Sequence, residues 1–106
     1  MLSAADVLEE GADLIDRFGH CKGHYINVRG SRCVDGALLY VTRTDRHAYG
    51  AAVRALQNVI SENIVRWNDL PTTTQADVTS AMRAAAGIVR ARMATIAPVE
   101  AVTECV

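Results

Sequence analysis

Cysteine and histidine are the side chains with the most chemistry to offer, and they gather early in the chain. Cys21-x-x-His24 is followed by Cys33, with His20 beside the pair and Cys105 close to the end of the sequence. Thiolate and imidazole are the ligands a structural zinc prefers, and a glycine-punctuated stretch can wrap an ion. A closed zinc site usually shows two tight pairs, however, and this stretch has one. Cys33 invites a second chemistry, because it precedes a predicted helix whose dipole would favour a thiolate, with His20, His24 or His47 as base. That chemistry needs three groups to converge, and spacing alone does not bring them together. The reading adopted is of reduced structural thiols and loop histidines, with no catalytic, cofactor or metal role. Zinc on Cys21, His24 and Cys33 stands as the alternative.

The charges are unevenly spread. The 106 residues carry 11 Lys+Arg and 12 Asp+Glu, a formal charge of -1. Residues 1–18 hold five acids and one arginine, whereas residues 19–66 hold seven bases and three acids. Near-neutrality excludes a strongly basic nucleic-acid tail or a long acidic one. The basic middle still offers Arg43, Arg46, Arg54 and Arg66 as a surface for phosphates. The plainer expectation is that the acidic first helix and the basic middle neutralise each other. Trp67, the lone tryptophan, is read as a plug for the core beside a helix end rather than a partner's anchor.

Helices must position these groups. Ser3 and Asp6 have capping-box spacing, an apolar stripe runs from Ala4 to Phe18, and Gly19 stands where a C-terminal cap belongs. A helix is therefore expected over residues 4–18. Residues 20–32, punctuated by Gly23 and Gly30, suit a short hairpin or an irregular loop. Over residues 33–43 the spacing of Val34, Ala37, Leu38 and Val41 favours a helix, with Ser31 as cap. Asp35-Gly36 is a competing hairpin signal.

A third helix is expected from Asp45 to Val65, its buried stripe including Tyr49, Ala52, Leu56, Val59 and Ile60. A linker from Trp67 to Thr73 follows, closed by Pro71. Thr74 and Asp77 then cap a fourth helix with the stripe Val78, Ala81, Met82, Ala85, Val89 and Met93. Residues 1–96 thus form one mainly α domain of four helices around a single core, and residues 97–106 read as a frayed C-terminal tail.

Three short motifs carry a resemblance. Cys33-x-x-Gly36-Ala37-Leu38, Trp67-Asn68-Asp69 and Thr74-x-x-Asp77-Val78 ahead of an alanine-rich helix resemble a family of small proteins of unknown function from actinobacteria and their phages. The resemblance spans about residues 4–93 and favours the helix over the hairpin for residues 33–43. An aromatic often stands in that family where this chain has His20, which speaks against a role for His20. The resemblance carries over no catalytic or binding residue.

No apolar run approaches the roughly 20 residues of a membrane span, and the acidic start is unlike the basic n-region of a secretion signal. An odd number of cysteines without an export signal suits a cytoplasmic protein. The functional expectation is a non-enzymatic protein-interaction or regulatory accessory protein, phage-encoded or actinobacterial, with no cofactor. Its protein partner would include a second copy of itself, docked through Ala81, Met82, Ala85, Val89 and Met93. The alternative is a nucleic-acid-binding regulator using Arg43, Arg46, Arg54 and Arg66.

Overall fold

Ser3 starts the first helix by accepting the Asp6 N–H on its Oγ at 3.1 Å, satisfying one of the donors a helix start leaves free. The helix, α1, runs Ala4–Phe18. It stops at Gly19, whose φ of 99° lies in the region an L side chain avoids. The computed structural model describes the backbone of residues 2–105 and the side chains of residues 2–94. The other helices are α2 (Val34–Thr42), α3 (Arg46–Gln57), α4 (Ile64–Asp69) and α5 (Gln75–Cys105). The chain is mainly α, and no strand occurs among the described residues.

One core joins these elements. Val7, Leu8, Ala12 and Ile15 of α1 meet Val34, Ala37 and Leu38 of α2, Ala52 and Leu56 of α3, and Val78, Met82 and Ala86 of α5. Gly11 permits a close approach, because a Cβ there would stand 2.8 Å from the Met82 Cε. Side chains of this size contribute about 1.5–3 kcal/mol each when fully withdrawn from water, so the α1–α5 seam is a main source of stability.

Several expectations are corrected. The segment expected as one helix over residues 45–65 is two helices. Gln57 Nε2 turns back to donate to the carbonyls of Ile60 and Glu62 at 3.1 and 2.7 Å. Asn63 Oδ1 then accepts the Arg66 N–H at 3.0 Å and starts α4 afresh. Amide side chains of this kind offer the backbone an alternative to continued helix. Val59, expected in the buried stripe, falls in the resulting turn and is exposed. Trp67-Asn68-Asp69 accordingly lies on α4 and not in a linker, giving five helices in place of four.

The cap of α2 is Cys33, whose Sγ accepts the Gly36 N–H at 3.2 Å. Ser31, the expected cap, instead donates to the Phe18 carbonyl at 2.8 Å. Finally, four of the five acids of α1 pair with α5 and not with the basic middle. Arg83 meets Asp13 and Asp16 at 2.9 and 2.8 Å, and Arg90 meets Asp6 and Glu9 at 3.2 and 2.7 Å.

Other expectations hold. Thr74 and Asp77 form a reciprocal capping box, with the Asp77 N–H on Thr74 Oγ1 at 3.1 Å and the Thr74 N–H on Asp77 Oδ2 at 2.9 Å. Residues 33–43 are helical, and residues 20–32 form an irregular loop tied by two isolated bridges, His20 to Arg32 and Ile26 to Arg32. The α5 backbone continues past Pro98. The side chains of the expected tail 97–106, and with them Cys105, lie outside the described residues.

Candidate functional site

Asn68 on α4 is almost fully buried and organises the loop. Its Nδ2 donates to the Cys21 carbonyl at 3.2 Å and to Asp69 Oδ1 at 2.9 Å. Its Oδ1 accepts the Val34 N–H at 3.0 Å and faces His20 Nε2 at 2.7 Å. Because Oδ1 already acts as acceptor for a backbone amide, the imidazole must donate, which places the proton on Nε2. His20 is therefore a positioned donor, and its backbone N–H is held by Gln75 Oε1 at 3.2 Å.

Asp69 extends the same anchorage. It accepts the Gly23 N–H at 3.0 Å. That hydrogen bond, and the one from Asn68, hold its carboxyl below the usual range. Lys22 Nζ donates to the Leu70 carbonyl. The loop base is thus fastened to α4 by backbone and side chain together.

The loop also lies hard against α2. Cys33 N–H donates to the Tyr25 carbonyl at 3.3 Å, and a Cβ on residue 36 would fall on that same carbonyl. Glycine at 36 is a requirement of this crossing. Arg32 stacks its guanidinium over the Tyr40 ring at 4.3 Å, a contact that favours a cation over an aromatic face. Tyr49 donates its hydroxyl to Asp35, and burial, then that acceptor, push the phenol above its ordinary range.

The two described cysteines are buried. Cys21 Sγ donates to the His24 and Ser31 carbonyls, each at 3.2 Å. Burial pushes both thiols up; neighbouring charge on Cys33 adds to the effect at Cys21, and the Gly36 hydrogen bond partly offsets it at Cys33. A nucleophilic thiol needs the opposite shift. Among the described residues, no group of three or more His, Cys, Asp and Glu side chains is arranged to hold a metal ion. A cavity of about 210 Å³ opens beside Cys33, lined also by Gly23, His24, Tyr25, Val65 and Asp69. His47 is exposed on α3.

The face of α5 expected to receive a partner is used inside the chain. Met82 and Ala85 are 0% and 1% exposed, Ala81 and Val89 pack half-buried against the core, and Met93 alone of the five is exposed. Arg43, Arg46, Arg54 and Arg66 are all exposed, and none forms an ion pair among the described residues. Trp67 packs against the core, as expected of it. No helix among the described residues is long and apolar enough to cross a membrane.

The loop tip was missing from the sequence reading. Asn27 Oδ1 accepts the N–H groups of Arg29 and Ser31 at 3.0 Å, and Asn27 N–H donates to the Ser31 carbonyl at 3.0 Å. This closed turn holds Val28 fully in solvent, with Tyr25 60% and Ile26 48% exposed beside it. The available signal was three β-type residues in a polar, glycine-bounded stretch.

The chain matches no curated protein and no solved structure. A family model does match it, over residues 1–88: the chain belongs to a family of unknown function, DUF6197.

Proposed function

We propose that this chain is a non-enzymatic protein-interaction protein, acting as a regulatory accessory factor, and that the tip of the loop 20–32 is its contact surface. The observation that carries the reading is the complete exposure of Val28 on a turn fixed by Asn27. An apolar side chain held in water by an ordered turn, with Tyr25 and Ile26 beside it, has the character of an association patch. Tyrosine further suits a binding hot spot. Self-association through this tip is the first case to test, since Met82 and Ala85 are already committed to the core. An actinobacterial or phage source and a cytoplasmic setting belong to the same proposal.

The test is light scattering over a concentration series, paired with capture from a host extract. Ile26→Asp and Val28→Asp should abolish a dimer or a captured protein while leaving the helical circular dichroism unchanged. Monomeric behaviour with identical capture profiles for wild type and both variants would overturn the proposal.

Exposure of Arg43, Arg46, Arg54 and Arg66 without ion pairs among the described residues favours a second reading, a nucleic-acid-binding regulator. Binding to generic duplex DNA should then weaken steeply with salt, because each phosphate contact releases counterions. Arg46→Glu with Arg54→Glu should remove it. Absence of DNA binding at low salt would dismiss this reading.

A further inference from the structure

The paired segments around the loop base bring two thiols into register. The Arg32 N–H donates to Gly19 O at 3.0 Å and the Cys21 N–H to Arg32 O at 3.1 Å, the pattern of a parallel bridge between His20 and Arg32. One step further along both segments stand Cys21 and Cys33. The bridge is isolated, but segments paired at one point lie about 4.8 Å apart there, which brings the two residues that follow close together. That spacing falls within the about 4.4–6.8 Å between Cα atoms that a disulfide spans.

A second observation agrees with this placement. The Asn68 carboxamide touches the Cys21 carbonyl with its Nδ2 and, with its Oδ1, the Val34 N–H of the peptide bond that follows Cys33. One small side chain thus bridges the backbone of both cysteines. Cys33 also borders the cavity beside His24 and Asp69.

We propose that Cys21 and Cys33 are a redox-active dithiol, converted by a hydroperoxide into an intramolecular disulfide that locks the loop 20–32 onto the start of α2. Burial pushes both thiols up, so the step is slow and quickens as pH rises: the Cys33 thiolate attacks one peroxide oxygen. The O–O bond breaks, the leaving oxygen departs protonated, and Cys33 becomes a sulfenic acid. The Cys21 thiolate then attacks that sulfur; the S–S bond forms, the S–O bond breaks, and hydroxide leaves as water. In sum two thiols surrender two protons and two electrons, and hydrogen peroxide becomes two waters.

The experiment treats the reduced full-length protein with hydrogen peroxide, blocks remaining thiols by alkylation in denaturant, and maps the peptides by mass spectrometry. The expected product is a linked pair of peptides carrying Cys21 and Cys33, lighter by two hydrogens and restored by dithiothreitol. The same product should form in Cys105→Ser. In Cys33→Ser, whose hydroxyl can still accept the Gly36 N–H, Cys21 should stay alkylatable. Three results would overturn the proposal: both thiols still alkylatable after peroxide, Cys33 carried on to sulfinic acid with Cys21 free, or disulfides formed only through Cys105.

Discussion

Asn68 Oδ1 accepts the Val34 N–H at 3.0 Å, so a side chain of α4 satisfies a backbone donor in the first turn of α2. The same carboxamide holds the Cys21 carbonyl. Asn68→Ala therefore leaves buried groups on two other segments unpaired, at about 1–3 kcal/mol for each. Asn68→Asp keeps the acceptor but sets a buried carboxylate against Asp69 and the Cys21 carbonyl, so it should cost at least as much. Urea denaturation of both variants checks the order, and an unchanged midpoint for Asn68→Ala would refute the hub.

Gly36 and Gly87 make a matched pair. Alanine normally stabilises a helix interior relative to glycine by about 1 kcal/mol. At Gly87 nothing lies within 4 Å of an added Cβ, and Gly87→Ala should raise the melting temperature. At Gly36 the Cβ would fall on the Tyr25 carbonyl, so Gly36→Ala should lower it. Opposite signs for one substitution on two helices would be hard to obtain otherwise.

Acid should act on the loop anchorage. Asp69 is held below its usual value of 3.8, first by the Gly23 N–H and then by Asn68. Asp16 is lowered chiefly by Arg83. A carboxyl lowered by folding contributes stability above its unfolded pKa, and that contribution is lost as pH falls through the folded value. The urea midpoint should accordingly be flat toward neutrality and drop below about pH 4. Asp69→Asn should flatten part of that acid limb, which a pH series on both proteins would reveal.

Ala85→Glu separates a core position from an interface position. Ala85 is 1% exposed, so a carboxylate there has no room and no water. The variant should lose its cooperative unfolding transition, not yield a folded monomer. Val28→Asp, by contrast, should stay within about 0.5 kcal/mol of wild type, the usual range for surface changes. A folded, monomeric Ala85→Glu protein would restore α5 as a partner surface.

Legibility in the sequence followed the range of the interactions. The α1 cap at Ser3 and the Thr74–Asp77 box bind residues three apart, and both were readable from spacing. The break between α3 and α4 was not, because apolar residues keep helical spacing through Ile60 and Ile64 while Gln57 and Asn63 divert the backbone locally. Asn68 was visible as part of a motif, but its role was hidden, since its partners at Cys21 and Val34 are joined to it only by tertiary folding. The destination of the α1 acids was misjudged for a related reason. Net charge by segment cannot tell which arginines share a side of the molecule with Asp13 and Asp16.

The fastening of the loop to α4 also sets an order of assembly. His20 and Asn68 are 48 residues apart, Cys21 and Asn68 47, and Gly23 and Asp69 46. A chain emerging from a ribosome makes α1 and α2 long before it makes α4. The connection between them must wait for α4, and closing a loop of that length carries an entropic cost. Until Asn68 arrives the loop lacks its tie to α4, and the tip carrying Tyr25, Ile26 and Val28 keeps only the local turn that Asn27 closes.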